Sequence, residues 1–208
     1  MIKAALFDLD GVVVDTEGQY TAFWGNQFRR YLPERPHLEH EIKGMTLVQI
    51  FSHFFSGQTS VQQAITHDLD VFESNMRYDY IKGFPEFVAQ LRASNVKTAV
   101  VTSSNRVKME NVYRRHEDFK TFFDAVFTSE DFTKSKPDPQ CYLIAARQLG
   151  CRPEECAGFE DSINGLKSVK AAGMFVVGLA TTNSKAVVAQ WADVVVSDFT
   201  GLSLSMIE

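Results

Sequence analysis

Six short apolar runs, separated by segments with helical periodicity, constrain the fold of this chain more than any other feature. The runs lie at residues 4–9, 96–102, 125–128, 156–159, 175–179 and 194–196. They are rich in Val and Phe and do not alternate cleanly with polar residues, which favours strands covered on both faces. Strands that alternate with helices form right-handed βαβ units. The sequence therefore predicts an α/β fold with a doubly wound parallel sheet.

The segments between the later runs have the periodicity of amphipathic helices. In the first of them, Phe87, Val88 and Leu91 share one face. Gly150 and Gly173 stand where helix C-caps are expected. Helices are therefore predicted at residues 84–94, 107–115, 140–149, 164–172 and 184–190.

Residues 16–82 interrupt this alternation, because their pattern is helical and contains no convincing strand. At Gly83 and Pro85 this segment ends and the alternation of strands and helices resumes. We expect a core formed by residues 1–15 and 83–208, with residues 16–82 as a small helical domain, called the helical insert below. Its regularly spaced aromatic residues are expected to pack together; the alternative is that one or two of them floor a substrate pocket.

Composition argues against several classes of partner. The 208 residues are 45% apolar and 23% charged, an ordinary balance for a globular protein. A formal net charge of −5 argues against nucleic acid or an anionic membrane as the main partner. No stretch approaches the ~18 apolar residues of a membrane helix, and no signal-peptide pattern is present. Three cysteines cannot all pair within one chain, so we expect reduced thiols and a cytoplasmic location.

Two aspartates stand at the end of the first apolar run. Asp8 and Asp10 are two positions apart, so in an extended chain both carboxylates point to the same side. Ligands of such sheets bind beyond the carboxyl ends of the strands. Neighbouring carboxylates repel unless a cation lies between them or one holds a proton, and Mg²⁺ prefers oxygen ligands. An isolated Asp-x-Asp is more often a surface turn with capping residues.

Polar groups follow other runs as well. Thr102, Ser103 and Ser104 supply hydroxyls and backbone N–H groups at a strand-to-helix junction, which suits either an anion site or helix capping. Lys136, which precedes a proline, can aim a positive charge at a phosphate or a carboxylate, although alone it would suggest a solvated loop.

The last of these signals is the pair Glu160 and Asp161, at the end of the fourth run. Capping explains Asp161 alone, whereas two adjacent acids at a strand end are more typical of metal ligands. Because carboxyl ends of parallel strands share one edge of a sheet, the four signals predict one site with a nucleophile, hydroxyls, a lysine and an acid pair.

These segments resemble the haloacid dehalogenase superfamily, in the phosphatase branch that includes β-phosphoglucomutase. The first and last motifs are highly specific, and together the motifs span almost the whole chain. They are Phe7-Asp8-Leu9-Asp10-Gly11-Val12, Val101-Thr102-Ser103-Ser104, Lys136-Pro137-Asp138-Pro139, and Glu160-Asp161-Ser162 with Gly165 and Ala171-Ala172-Gly173. The resemblance implies a Rossmann-like core with a helical cap domain inserted after the first motif, in agreement with the helical insert.

The resemblance also implies roles for the motif residues. Asp8 corresponds to a nucleophile that becomes an aspartyl-phosphate, and Asp10 to the general acid and then the general base. Thr102 and Lys136 correspond to residues that hold the phosphoryl oxygens, and Ser103 and Ser104 are further candidate contacts.

The cofactor that the resemblance implies is Mg²⁺. Its ligands would be Asp8, the carbonyl oxygen of Asp10, and Asp161. Glu160 would either bind the metal directly or contact one of these ligands. The expected function is hydrolysis of a small phosphorylated metabolite, with a sugar phosphate ahead of a nucleotide monophosphate or pyrophosphate.

A phosphosugar mutase of the same branch is the alternative. Such mutases carry a histidine where this chain has Tyr20, and an arginine for a second phosphate where Lys43-Gly44-Met45-Thr46-Leu47 ends in leucine. Leucine cannot bind a phosphate dianion, so hydrolysis is favoured, although Arg77 or Lys43 could compensate. Dehalogenation needs no metal and leaves the acid pair without a role. A catalytically silent binding module would be expected to lack one or more catalytic residues. It is disfavoured because the chain keeps all four, which are Asp8, Asp10, Lys136 and Asp161.

Substrate specificity is expected to come from the helical insert and the segment that leads into it. The candidate contacts are Glu17, Tyr20, Lys43, Thr46 and Arg77. An enzyme that closes its own active site in this way can function as a monomer, so a monomer is expected, with neither nucleic acid nor membrane as a partner.

Overall fold

The computed structural model describes residues 1–43 and 45–207, with a six-stranded sheet at the centre. The strands are β1 (Ala4–Phe7), β2 (Lys97–Val101), β3 (Ala125–Phe127), β4 (Cys156–Glu160), β5 (Phe175–Leu179) and β6 (Val194–Val196). Each neighbouring pair is parallel. The predicted fold class, an α/β protein with a doubly wound Rossmann-like sheet, is confirmed.

The order of the strands across the sheet is β3-β2-β1-β4-β5-β6. From β1 the chain proceeds to β2 and β3 on one side, and from β4 to β5 and β6 on the other. Ala4 of β1 is in register with Lys97 of β2 and with Cys156 of β4. Ligands of doubly wound sheets bind where the strand order reverses, which here is the edge at which β1 and β4 end.

Helices connect the strands and form the helical insert. They are α1 (Glu17–Tyr31), α2 (Leu38–Glu41), α3 (Leu47–Phe54), α4 (Thr59–Asn75), α5 (Phe84–Ala93), α6 (Arg106–Arg115), α7 (Gln140–Gln148), α8 (Ile163–Ala171) and α9 (Lys185–Val188). Short 3₁₀ turns lie at Phe119–Phe122, Ser129–Asp131, Pro153–Glu155 and Leu204–Met206. Within the described ranges, no helix has both the length and the apolar character that crossing a membrane requires.

Side chains of the central strand alternate between two apolar layers. Ala5 and Phe7 face a layer rich in aromatic rings, where the rings of Phe7 and Phe159 stack with centroids 4.4 Å apart. Ala4 and Leu6 face the second layer, to which α7 and α8 contribute. Both faces of the sheet are thus covered, which explains why the apolar runs do not alternate with polar residues.

Helices of the insert pack around an apolar cluster of their own. Its buried members are Phe23, Trp24, Phe28, Leu38, Ile42, Ile50, Phe54, Phe55 and Ile65. The rings of Phe28 and Phe55 stack 6.0 Å apart. The spaced aromatic residues therefore pack together as expected. The division of the chain into a core and a cap domain stays a prediction.

The first strand ends earlier than its apolar run predicts. The backbone N–H groups of Val13 and Val14 both donate to the carbonyl oxygen of Leu9, and Gly11 has a φ of 71°. The chain therefore turns directly after Asp8, although the Asp8 N–H still donates to the Phe159 carbonyl of β4 at 3.0 Å. This turn, and not the alternation of an extended strand, directs the side chain of Asp10.

Replacement of a buried ring tests the division into domains. Phe28→Ala is expected to destabilise the helical insert by about 3–5 kcal/mol, because a cavity replaces the ring. Phe28 and Phe87 are each 1% exposed, so Phe87→Ala is a matched variant in the core. Hydrogen exchange should accelerate in α1, α3 and α4 of Phe28→Ala while β1 to β6 remain protected. Equal acceleration in the strands would contradict two separate domains.

Candidate active site

A cavity of about 670 Å³ lies between the carboxyl edge of the sheet and the helical insert. Its core-side residues include Asp8, Asp10, Thr102, Ser103, Ser104, Lys108, Lys136 and Asp161. Residues of the insert that line it include Glu17, Tyr20, Glu39, Lys43, Thr46, Leu47, Asp70 and Glu73. The volume falls within the range of ligand sites. Most of the site residues predicted from the sequence therefore share one cavity.

Lys136 is buried at the floor of this cavity and bridges two carboxylates. Its Nζ lies 2.6 Å from Asp8 Oδ1 and 2.6 Å from Glu160 Oε1, and it donates to the Val101 carbonyl oxygen at 3.0 Å. Burial alone would lower the pKa of Lys136, but the charges of Asp8 and Glu160 raise it above its ordinary value. The lysine is therefore a fixed positive charge beside the candidate nucleophile.

Glu160 lies beneath the cavity and does not line it. The carboxylate is fully buried and also accepts a hydrogen bond from the Tyr142 hydroxyl at 2.6 Å. Gly165 leaves the space that this carboxylate occupies, since a Cβ there would lie 1.9 Å from Glu160 Oε2. Glu160 therefore anchors Lys136 from below, which explains why the last motif pairs an acid with a glycine five residues later.

Three carboxylates form a cluster that suits a divalent cation. Oxygens of Asp8, Glu160 and Asp161 lie within 4.8 Å of one another. Burial raises the pKa of Asp8 to about 7 against the opposing charge of Lys136, and burial with the charges of Glu17 and Asp8 raises the pKa of Asp161 above its usual range. Buried acids in such proximity favour a bound cation. An all-oxygen donor set fits Mg²⁺.

The loop after β5, which contains none of the sequence motifs, holds Asp161 by two hydrogen bonds. The Thr182 hydroxyl donates to Asp161 Oδ2, and the Asn183 side-chain amide donates to the Asp161 carbonyl oxygen at 3.0 Å. A Cβ on Gly11 would lie 2.1 Å from Asp161 Oδ2, so only glycine allows this approach. The loop after β5 is therefore part of the site, and hydroxyl residues in a loop carry no distinctive sequence signal.

Asp10 points away from the acidic cluster toward three donors. Its Oδ1 accepts from the Thr16 hydroxyl at 2.5 Å, and its Oδ2 from the Ser104 hydroxyl at 3.1 Å and from Lys108 Nζ at 2.5 Å. The side chain of Asp10 does not belong to the cluster of Asp8, Glu160 and Asp161. The role of its carbonyl oxygen as a metal ligand, which the resemblance implies, stays a prediction. The sequence reasoning missed both Thr16 and Lys108.

The second motif forms the junction between β2 and α6. Thr102 is buried, its backbone N–H donates to the Phe127 carbonyl at 2.9 Å, and its hydroxyl accepts from the Ser104 N–H at 3.0 Å. Asn105 caps α6 by accepting from the Lys108 N–H at 2.9 Å. Both interpretations of this segment are therefore compatible with the structure: capping is carried by Asn105, while the preceding hydroxyl residues line the cavity.

Four of the candidate contacts from the insert and its entry line the cavity. Lys43 Nζ lies 3.9 Å from Glu17 Oε2 and 3.4 Å from the Thr182 carbonyl oxygen. The Tyr20 hydroxyl donates to Glu73 Oε1 at 2.7 Å. The Thr46 hydroxyl caps α3. Gly44, which belongs to the same predicted stretch, lies outside the described residues.

The prediction that Arg77 contacts substrate is not supported. Arg77 is absent from the described lining of the cavity, and its side chain is 79% exposed with Asp79 as a distant ion-pair partner at 3.9 Å. Gln19 holds the backbone of Arg77 by hydrogen bonds to its N–H and carbonyl groups. This anchoring fixes the segment after α4 with the guanidinium directed to solvent.

The family model described as "Hydrolase: haloacid dehalogenase-like hydrolase" matches residues 2–173. With the candidate catalytic residues gathered around one cavity of a doubly wound sheet, this match defines the class of protein. The chain belongs to the haloacid dehalogenase-like hydrolases.

Similar proteins include enzymes with named activities. The chain is 30% identical to validoxylamine A 7′-phosphate phosphatase of Streptomyces hygroscopicus subsp. limoneus, over 96% of this chain and 95% of that one. It is 28% identical to β-phosphoglucomutase of Bacillus subtilis, over 86% and 83%. The structure of CbbY from Rhodobacter sphaeroides in complex with phosphate matches the fold with a TM-score of 0.81, 23% identity and coverage of 100% and 99%. A named phosphatase among these relatives supports the expected class, a phosphoric monoester hydrolase.

Proposed function

We propose that this protein is a Mg²⁺-dependent phosphatase that hydrolyses a small phosphorylated metabolite, with a sugar monophosphate as the favoured class. The observation that carries the proposal is Lys136, buried at the floor of a ligand-sized cavity with Asp8 and Glu160 each 2.6 Å from its Nζ. A fixed cation beside a partly accessible carboxylate suits attack on a phosphoryl group, whose oxygens need positive charge around them.

In the proposed reaction Asp8 is the nucleophile. Its carboxylate oxygen forms a bond to phosphorus while the bond from phosphorus to the leaving oxygen breaks, which yields an aspartyl-phosphate. Lys136 and Thr102 hold the phosphoryl oxygens. Asp8, Asp161 and the Asp10 carbonyl oxygen would hold Mg²⁺, with Glu160 beneath them. When bound, Mg²⁺ neutralises charge on the phosphoryl oxygens and allows an anionic nucleophile to approach.

Asp10 completes the proton transfers. As general acid it gives a proton to the leaving oxygen, and as general base it then takes a proton from the water that attacks phosphorus. That attack breaks the bond to Asp8 and releases inorganic phosphate. Asp8 and Asp10 both line the cavity, so a water that attacks the phosphoenzyme would lie in the same cavity as Asp10.

The charges of the cavity support a hydroxyl-rich organic group on the substrate. Among the described lining residues, the insert contributes four carboxylates and one cation: Glu17, Glu39, Asp70, Glu73 and Lys43. Carboxylates accept hydrogen bonds from hydroxyls and repel a second anion. We therefore propose that Glu17, Tyr20, Lys43 and Thr46, which were expected as contacts, act together with these acids on a sugar-like group.

A phosphosugar mutase is the second candidate, and the likeness to β-phosphoglucomutase supports it. A mutase must hold a second phosphate far from the nucleophile. Leu47 lines the cavity at the position expected for a phosphate-binding arginine. Two lysines that line the cavity already face carboxylates, since Lys43 faces Glu17 and Lys108 faces Asp10. These pairings favour hydrolysis. The cap role of the helical insert, the monomeric state and the cytoplasmic location stay predictions.

A panel of phosphorylated metabolites tests the proposal. Phosphate release from purified protein should require Mg²⁺, cease with EDTA and return when Mg²⁺ is restored. Glucose 6-phosphate should be hydrolysed at least ~10-fold faster than 6-phosphogluconate, which differs by an added carboxylate that the acidic lining repels. Release that EDTA leaves unchanged would exclude the metal, and conversion of β-glucose 1-phosphate to the 6-phosphate without release would identify a mutase.

A further inference from the structure

Lys108 is a buried lysine that belongs to none of the sequence motifs. It lies in the first turn of α6, and its side chain is 3% exposed. Lysine is rarely buried to this degree unless it is paired. Its Nζ lies 2.5 Å from Asp10 Oδ2, so the charge of Lys108 is directed at the candidate acid and base.

The carboxylate of Asp10 is almost saturated with protein donors. Thr16, Ser104 and Lys108, each from a different part of the chain, together use three of its lone-pair sites. A carboxylate has about four such sites. One site therefore remains to accept a proton from water, and the three donors determine the direction in which it points.

Lys108 also connects Asp10 to the helical insert. Its Nζ lies 4.6 Å from the ring centroid of Tyr20 in α1, a cation–π contact. The Tyr20 hydroxyl donates to Glu73 of α4 at 2.7 Å, and the Tyr78 hydroxyl donates to the Glu73 carbonyl oxygen at 2.7 Å. Lys108 and Glu73 are buried and Tyr20 is partly buried, so most of this connection lies inside the protein.

We propose that Lys108 is a positioning residue that orients Asp10 as the base for hydrolysis of the phosphoenzyme. The proposal rests on the proposed function, because it takes Asp8 as the phosphorylated group. The water that attacks phosphorus gives its proton to the free site of Asp10, and the bond between phosphorus and Asp8 breaks. Without Lys108, Asp10 keeps its two hydroxyl donors but loses the charge that fixes it.

Lys108→Met tests this role, since it keeps the apolar stem and removes the charge. With p-nitrophenyl phosphate the leaving group needs no proton, so formation of the phosphoenzyme should stay within about 3-fold of the wild type. Its decay should slow by about 10- to 100-fold, the loss expected when a general base is misdirected. In rapid mixing, nitrophenolate release should show a burst followed by a slow steady state. Because kcat/KM reports formation of the phosphoenzyme, it should change by no more than about 3-fold, and KM should fall together with kcat.

Matched variants separate positioning from damage to the structure. Lys120→Met removes an exposed lysine that makes a similar contact, 4.1 Å above the Tyr113 ring, and both steps should remain as in the wild type. Lys108→Arg should restore most of the decay rate. If Lys108→Met does not fold, Lys108→Gln, which keeps a hydrogen-bond donor, is the substitute. Its phosphoenzyme decay should also slow selectively, but by a smaller factor than expected for Lys108→Met.

Other outcomes would overturn the proposal. Equal slowing of formation and decay would indicate a general defect of the site, and a raised KM with unchanged kcat would place Lys108 against the substrate. Wild-type protein that hydrolyses phosphate esters without forming a phosphoenzyme would remove the basis of both proposals. The failure would then be visible in the wild type, whereas failure of the Lys108 assignment alone is visible only in the variants.

Discussion

Replacement of Asp8 by asparagine is expected to lower phosphatase turnover by about 10⁴-fold or more, because an amide oxygen is not a competent nucleophile toward phosphorus. The fold should remain, since the Asp8 side chain is 13% exposed and Lys136 keeps its second partner, Glu160, at 2.6 Å. Phosphate release and trapping of the phosphoenzyme with a radiolabelled substrate measure the two effects.

A neighbouring aspartate provides the control for this variant. Asp15→Asn makes the same chemical change at an exposed position of the same loop and should leave the turnover unchanged. Asp8→Asn protein that still forms a labelled, acid-stable phosphoenzyme would assign the nucleophile to another residue. Turnover within about 10-fold of the wild type would contradict the mechanism altogether.

Replacement of Lys136 by methionine is expected to lower turnover by about 10²- to 10³-fold, because a fixed charge on the transferring phosphoryl group is lost. It should also destabilise the protein by about 3–5 kcal/mol, since it leaves Asp8 and the fully buried Glu160 facing each other without a cation. Steady-state kinetics and denaturant unfolding in the absence of Mg²⁺ measure the two losses separately.

Two further variants separate the catalytic effect of Lys136 from its effect on stability. Lys134→Met removes a lysine that is 65% exposed and should change stability by less than about 1 kcal/mol. In Lys136→Met combined with Glu160→Gln, one buried charge is removed along with its partner, so stability should partly recover while turnover stays low. Recovery of turnover in the double variant would show that Lys136 serves only to compensate Glu160.

The fold could be predicted from the sequence because its signals are local. Each of the six apolar runs coincides with a strand to within two residues, since a parallel strand covered on both faces is largely apolar. The helices of the insert could be recognised from the helical spacing of its apolar residues alone. The end of β1 was not, because the turn after Asp8 depends on the hydrogen bonds of Val13 and Val14 to Leu9.

Site residues could be predicted from the sequence where a reactive side chain directly follows a strand. Asp8, Thr102 and Asp161 directly follow β1, β2 and β4, and the parallel sheet brings those ends to one edge. Lys136 follows no strand directly, and its segment taken alone suggested a solvated loop. Its burial between two carboxylates depends on residues 128 and 24 positions away in the chain.

What the sequence determined by itself was the alternation of strands and helices and the set of reactive groups at their junctions, because both are properties of neighbouring residues. Only the tertiary structure decided which groups meet across the chain. It placed Lys108 on Asp10, turned Arg77 to solvent and put Glu160 beneath the cavity. These outcomes depend on distances between residues far apart in the chain, and no local pattern encodes a distance through space.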